Sequence, residues 1–80
     1  MSIEETQAQA ARLLGSVLGR TLDPGHAVLR PAEPRWDSIR HLELVFALED
    51  QFGVRFEASE MAAMDSLDSI VRALERHLEA

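Results

Sequence analysis

Apolar residues recur at helical spacing in three stretches of the chain, and a proline-rich segment separates the first stretch from the second. The first stretch follows Ser2, which makes a capping-box pattern with Glu5, and Gly19 supplies the predicted end of the helix. Its spacing predicts one buried stripe: Ala10, Leu13, Leu14, Val17 and Leu18. No stretch alternates apolar and polar residues as a half-buried strand does, so the pattern predicts an all-α fold.

The segment from Arg20 to Trp36 is predicted to be a long ordered loop. It contains Gly25 and all three prolines of the chain: Pro24, Pro31 and Pro34. Proline lacks the N–H that a helix interior needs and clashes with the preceding turn, so helix cannot persist here. Trp36 is predicted to cover the junction between this loop and the next helix. We expect three apolar side chains to anchor the loop to the bundle: Leu22, Val28 and Leu29.

The second helix is predicted to begin at Ser38, with Asp37 as its N-cap, and to end at Gly53. The Asp37 carboxylate is expected to accept a hydrogen bond from the backbone N–H of Ile39 or Arg40. The apolar positions predict a broad inward face: Ile39, Leu42, Val45, Phe46, Leu48 and Phe52. The same spacing predicts an outward stripe: Arg40, Glu43, Ala47 and Asp50.

The remainder of the chain is predicted to form a short third helix and a longer fourth. Val54 and Phe56 are expected to return the chain to the core, and Ser59 to cap a short helical turn that runs to Met64. Ser66 is predicted to open the last helix, which has one buried stripe: Leu67, Ile70, Val71, Leu74 and Leu78. The predicted architecture is therefore a small four-helix bundle with a long loop between its first two helices.

Composition narrows the functions that such a chain can serve. The 80 residues, 46% of them hydrophobic, make one domain (1–80) without room for a deep enzyme pocket. The net charge of −6 has the wrong sign for binding nucleic acid and favours encounters with basic patches on proteins. No apolar run approaches the ~20 residues that span a bilayer. The first five residues show no signal-peptide pattern, so no membrane partner and a cytoplasmic location are expected.

Side chains that could bind a metal or act as nucleophiles are sparse. Cysteine is absent, which excludes disulfides, thiolate metal sites and a cysteine nucleophile. The histidines are dispersed along the chain without acidic or cysteine ligands at metal spacing: His26, His41 and His77. The sequence therefore predicts no metal site and no catalytic residues.

The tripeptide Asp37-Ser38-Ile39 is the most informative motif in the chain. It sets a serine at the start of an amphipathic helix, where unpaired N–H groups favour a negatively charged group. The long loop precedes it, and Leu-Glu-Leu at 42–44 and Phe-Gly-Val at 52–54 follow it. With Ala-Leu-Glu at 47–49, a short third helix and Ser-Leu at 66–67, this pattern resembles the acyl carrier proteins over nearly the whole chain.

The resemblance implies that Ser38, next to the motif residue Asp37, carries a covalent 4'-phosphopantetheine arm. A phosphopantetheinyl transferase would move the arm from coenzyme A, and its thiol would carry acyl or aminoacyl groups as thioesters. The carrier itself would not be an enzyme, and it would deliver its cargo to ligases or synthases with basic docking patches. The initial methionine and the length suit a free-standing, monomeric carrier, although a domain of a larger synthase stays open.

Five residues of the second helix are predicted to form the partner-binding surface: Arg40, Glu43, Leu44, Ala47 and Asp50. The acids among them resemble the acidic recognition surface of the family, and Leu44 is either a small apolar contact or half-buried core. Arg40 departs from many fatty-acid carriers, which have an acid two positions after the modified serine. This departure favours a specialised fatty-acid, polyketide or aminoacyl pathway, although Arg40 could simply pair with Glu43.

Other interpretations stay open on the residues alone. An unmodified acidic helical module that binds a basic protein would share the fold and the charge. A serine hydrolase would pair Ser38 with His41, although the chain lacks a Gly-x-Ser-x-Gly elbow. The tripeptide pattern also recurs at 65–67 and 68–70. There Ser66 fits a helix cap and Ser69 a helix interior, so Ser38 remains the predicted attachment site.

Overall fold

A computed structural model describes residues 2–23, 25 and 28–79, with only the backbone described at residue 79. The predictions for Pro24 and His26 lie outside the described residues. Within the described ranges the chain forms four α-helices and no strand: α1 (Ile3–Leu18), α2 (Ser38–Phe52), α3 (Ala58–Ala63) and α4 (Leu67–Glu79). The predicted all-α bundle is therefore confirmed. The described part of the loop between α1 and α2 contains an unpredicted turn of 3-10 helix at Arg30–Ala32.

The ends of α1 and α2 are formed by local hydrogen bonds that the sequence predicts. The Ser2 hydroxyl oxygen accepts a hydrogen bond from the Glu5 N–H at 3.2 Å. Gly19 ends α1 with a φ of 73°, and Gly53 ends α2 with a φ of 65°. Both angles lie in the left-handed region, which favours glycine. Each helix therefore stops where its sequence supplies a residue suited to the left-handed turn.

The core lies where α1 packs against both α2 and α4. Its central side chains come from all three long helices and are almost fully buried: Leu14, Leu18, Leu44, Leu48, Ile70 and Leu74. Leu13 and Val17 of the predicted α1 stripe pack against this cluster from its edge. Trp36 is only 3% exposed, which confirms its predicted place over the junction between the loop and α2.

The predicted inward face of α2 is partly wrong. Ile39, Leu42 and Phe46 are 70%, 51% and 63% exposed. The buried face consists instead of a stripe at three- and four-residue spacing: His41, Leu44, Val45 and Leu48. Helix α2 carries apolar residues on two opposite sides. The side that meets α1 begins with a histidine, so the number of apolar residues alone did not identify which side of the helix is buried.

The loop between α1 and α2 is anchored by Leu22 and Val28, which are buried as predicted, whereas Leu29 is 53% exposed. Backbone hydrogen bonds on either side of Leu29 explain the difference. The Leu67 N–H donates to the Val28 carbonyl at 3.0 Å, and the Arg30 N–H donates to the Asp65 carbonyl at 2.7 Å. In such an extended segment successive side chains point to opposite sides, so Leu29 turns outward when Val28 turns inward.

The last two helices begin close to their predicted positions. Glu57, rather than Ser59, is the N-cap of α3, and its N–H donates to a carboxylate oxygen of Glu60 at 3.0 Å. The Ser66 hydroxyl oxygen accepts the Ser69 N–H at 3.0 Å at the start of α4. The α4 stripe is buried from Leu67 to Leu74, but Leu78, in the last turn, is 40% exposed. None of the described helices is long and apolar enough to cross a membrane.

Candidate functional site

Ser38 is the first residue of α2, and its side chain is exposed. Asp37 precedes it with an extended backbone, and its carboxylate oxygen Oδ1 accepts the Arg40 N–H at 2.9 Å. The Asp37 carbonyl accepts the His41 N–H at 2.9 Å. These two bonds fix the first turn of the helix, so the hydroxyl of Ser38 is presented to solvent from a rigid position.

The electrostatics of this turn favour a negative charge on Ser38. The N–H groups of Ser38 and Ile39 have no acceptor within the helix because they belong to its first turn. They add to the partial positive charge at the start of α2, which stabilises anions. The hydrogen bond from the Arg40 N–H, followed by the charge of its guanidinium, holds the pKa of the Asp37 carboxyl below its usual value. Asp37 is therefore ionised at neutral pH and serves as an acceptor.

Arg40 pairs with Asp37 and not with Glu43. Its Nη1 lies 2.9 Å from Asp37 Oδ2, and both side chains are about half exposed. The predicted alternative, an ordinary pair between Arg40 and Glu43, is therefore wrong. The N-cap carboxylate attracts Arg40 toward the start of the helix, and the guanidinium consequently lies on the same turn as Ser38.

His41 lies behind the site and faces the core. The Trp36 indole N–H donates to His41 Nδ1 at 3.0 Å, and His41 Nε2 lies 2.8 Å from the Met61 carbonyl oxygen. Because an indole nitrogen can only donate, Nδ1 is the acceptor, and Nε2 carries the hydrogen that it donates to Met61. Both ring nitrogens are therefore occupied, and neither can act as a base for Ser38. This removes the support for a serine hydrolase that pairs the two residues.

The two other serines in a similar tripeptide are less accessible than Ser38. Ser66 and Ser69 are both half-buried, and their hydroxyl oxygens lie 3.0 Å apart. The Ser69 hydroxyl also donates to the Ser66 carbonyl at 2.9 Å. Their hydroxyls are committed to capping α4, as the sequence predicts for Ser66. Ser38 alone among these three serines is both exposed and at a helix start.

The outer face of α2 combines exposed apolar and acidic side chains. We call it the α2 outer surface and define it by five exposed residues: Ile39, Leu42, Glu43, Phe46 and Asp50. Of the two interpretations of Leu44, the contact with partners is wrong, because its side chain is fully buried in the core. Ala47 and Arg40 are half-buried and border this surface.

The apolar part of the α2 outer surface was not predicted, although the spacing of the buried residues of α2 indicates it. The spacing of His41, Leu44, Val45 and Leu48 is that of a complete buried stripe, which leaves Ile39, Leu42 and Phe46 outside it. Recognising the stripe would have required placing a histidine in the core. Such a histidine is acceptable only with partners for both ring nitrogens, and these come from Trp36 and Met61.

Comparison with known proteins supports the resemblance drawn from the sequence. None of the family models searched matches the chain. The chain is similar to Acyl carrier protein 3 of Ralstonia nicotianae, with 40% identity over 42 residues. The aligned segment covers 52% of this chain and 48% of the relative, so the chain spans about half the length of the curated relative that it matches.

Proposed function

We propose that this chain, which is related to the acyl carrier proteins, carries acyl or aminoacyl groups as thioesters on a 4'-phosphopantetheine arm attached to Ser38. The observation that carries the proposal is the exposed Ser38 hydroxyl on the first turn of α2, directly after the capping Asp37. When bound, the arm supplies the thiol on which cargo is held. The chain supplies the attachment point and the surface that partner enzymes contact.

The residues around Ser38 fit such a group. Its hydroxyl is accessible, and the first-turn N–H groups and the Arg40 guanidinium provide positive potential for a phosphodiester. Attachment forms a bond between Ser38 Oγ and the phosphorus, breaks the pyrophosphate bond of coenzyme A and releases adenosine 3',5'-bisphosphate. Neither ring nitrogen of His41 is free to accept the hydroxyl proton, and we propose that a base on the transferase accepts it. The chain is the substrate of this reaction, and we propose that it acts as a carrier and not as an enzyme.

The α2 outer surface supports docking of partner enzymes beside the arm. Its apolar side chains, Ile39, Leu42 and Phe46, lie on the helix that begins at Ser38. The carboxylates of Glu43 and Asp50 flank them. A partner with an apolar recess bordered by basic residues would match both features, and the net charge of −6 would speed the encounter. The transferase and the loading ligases or synthases are the partners we propose.

A shallow depression extends this surface toward the end of α2. Its volume is about 480 Å³, and it is lined by residues from α2 and the following turn: Phe46, Glu49, Asp50, Gly53, Val54 and Arg55. Glu49 is tied to that turn, because its carboxylate accepts the Phe56 N–H at 2.9 Å. We propose that a partner side chain enters this depression next to Phe46.

The setting of Ser38 favours a specialised pathway over general fatty-acid synthesis. Arg40 places a cation on the turn that carries the arm, where many fatty-acid carriers have an acid. We propose a dedicated fatty-acid, polyketide or aminoacyl pathway on this basis. A cytoplasmic, monomeric shuttle between separate enzymes is the form that fits this role.

An unmodified protein-interaction module is the second candidate function. The exposure of Ile39, Leu42 and Phe46 favours it, because these side chains would suit a protein partner whether or not Ser38 is modified. The two functions share the fold, the charge and the α2 outer surface. Modification of Ser38 is what separates them.

The test is intact mass after incubation with coenzyme A, magnesium and a promiscuous phosphopantetheinyl transferase. Three proteins are compared: the parent, Ser38→Ala and Ser59→Ala, the last replacing an exposed serine on α3. We expect the parent and Ser59→Ala to gain one phosphopantetheine and Ser38→Ala to gain none. No gain in the parent, while a known carrier is modified in parallel, would favour the interaction module. A gain retained by Ser38→Ala would move the attachment site elsewhere.

A further inference from the structure

The guanidinium of Arg40, on the helical turn that carries Ser38, has N–H donors that make no hydrogen bond to Asp37. Its contact with Asp37 is made through Nη1 alone, at 2.9 Å, and its side chain is 42% exposed. An arginine side chain carries five N–H donors in a planar fork that matches carboxylate and phosphate groups. Most of that fork therefore remains available to an anion on the same turn of α2.

A phosphodiester on Ser38 would bring a second negative charge close to the carboxylate of Asp37. The pKa of Asp37 is held down by its hydrogen bond to Arg40, so this carboxylate is ionised when the arm is attached. Two unit charges of like sign on one helical turn repel each other. Because the guanidinium of Arg40 lies against the Asp37 carboxylate, the turn would carry one net negative charge instead of two.

We propose that Arg40 binds the phosphate of the arm, bridging it to the Asp37 carboxylate and holding the first segment of the arm against the first turn of α2. This inference rests on the proposed function and goes further, because it assigns a binding residue to the arm. Arginine suits this task better than lysine, since its fork can contact both anions at once. The thiol end of the arm stays free to reach partner enzymes.

The arrangement also defines what a partner meets at the base of the arm. In the parent protein the guanidinium contacts two anions, so both the phosphate at the base of the arm and the arginine are paired with an opposite charge. A partner that binds at this position therefore contacts three paired ions: the Asp37 carboxylate, the Arg40 guanidinium and the phosphate. Replacing Arg40 would expose two unscreened negative charges there.

The test compares the arm-bearing forms of the parent, Arg40→Gln and Arg55→Gln. Arg55 is an exposed arginine beyond the end of α2 and serves as the matched control. Intact mass first verifies complete modification of each protein. Phosphorus NMR then records the chemical shift of the diester. Nitrogen NMR follows the Nε signals of both arginines in the parent, before and after modification.

We expect modification to shift the Arg40 Nε signal and to leave that of Arg55 in place. The diester shift should change in Arg40→Gln and stay at the parent value in Arg55→Gln, and added salt should move the parent toward Arg40→Gln. An unmoved Arg40 signal, with the same diester shift in all three proteins, would overturn the assignment while Ser38 remained the carrier residue. Failure of the parent to gain any arm would instead remove the proposed function, and this inference with it.

Discussion

The indole N–H of Trp36 donates a hydrogen bond to Nδ1 of His41 over 3.0 Å in the interior of the protein. The other ring nitrogen of His41 donates to the Met61 carbonyl at 2.8 Å. One imidazole thus joins the loop before α2, the first turns of α2 and the end of α3. His41 lies three residues after Ser38, and this network gives the exposed first turn of α2 a rigid support.

His41→Leu is expected to destabilise the protein because it leaves the Trp36 N–H and the Met61 carbonyl without partners. An unpaired buried polar group costs about 1–3 kcal/mol, and His41 is only 8% exposed. The free energy of unfolding, measured by urea titration, should fall by at least that amount. Glu43→Gln, an exposed change on the same helix, is the control and should stay within about 0.5 kcal/mol of the parent. Equal stability of both variants would contradict the network.

The inward face of α2 is tested by the same substitution at two positions that lie two residues apart. Leu44 is fully buried and Leu42 is 51% exposed. Leu44→Ala should cost about 2–5 kcal/mol in the free energy of unfolding, the usual range for a core leucine. Leu42→Ala should cost less than about 1 kcal/mol, because most of its side chain already contacts water. The reverse order in urea titrations would show that α2 packs with its other side inward.

The N-cap of α2 is tested by comparing Asp37→Ala with Asp37→Asn. The alanine variant loses the acceptor for the Arg40 N–H, whereas asparagine keeps one and loses only the charge. We expect the urea midpoint to fall for both variants and to fall further for alanine. An alanine variant as stable as the parent would mean that the carboxylate does not hold this turn.

The contact between α3 and the last turn of α4 is expected to stabilise the protein less in acid. The hydrogen bond from the Glu57 N–H, aided by His77, holds the pKa of Glu60 below its usual value. His77 Nε2 lies 2.8 Å from a Glu60 carboxylate oxygen. A carboxyl group whose pKa is lower in the folded state stabilises the protein at higher pH, and this stabilisation is lost as the pH falls through the lowered pKa.

The loss of this stabilisation in acid is measured by melting temperatures between about pH 6 and pH 3, the range in which glutamate titrates. We expect Glu60→Gln to lose less of its melting temperature over this interval than the parent does, because it has no carboxylate to protonate. Glu75→Gln, which changes a half-buried acid on α4, is the control and should follow the parent. Parallel curves for Glu60→Gln and the parent would argue against the contribution of this pair.

The helix ends could be predicted from the sequence because they depend on short-range chemistry. Ser2 caps α1 through a residue three positions away, and Asp37 does the same for α2. Gly53 ends α2 because its left-handed backbone suits glycine. The turn around Ser38 depends on the same local chemistry, so its position at the start of α2 could be predicted from its neighbours.

The packing phase of α2 could not be predicted in the same way. It depends on contacts with Trp36 from the loop and Met61 from α3, and neither contact follows from helical periodicity. The exposure of Leu29 could not be predicted either, because it results from backbone pairing with the segment that precedes α4. Arg40 pairs with Asp37 and not with Glu43, because the N-cap position of Asp37 places its carboxylate within reach of the guanidinium.

Peptide mapping of the unmutated protein, after treatment with the transferase and coenzyme A, tests most directly whether Ser38 carries the arm. Trypsin cleaves after Arg35 and Arg40 and releases the peptide 36–40, whose only serine is Ser38. Cleavage after Arg55 and Arg72 releases 56–72, which holds the competing serines: Ser59, Ser66 and Ser69. We predict the mass of one phosphopantetheine on peptide 36–40 and none on 56–72. An arm on 56–72, or on neither peptide, would contradict the assignment of Ser38 as the carrier residue.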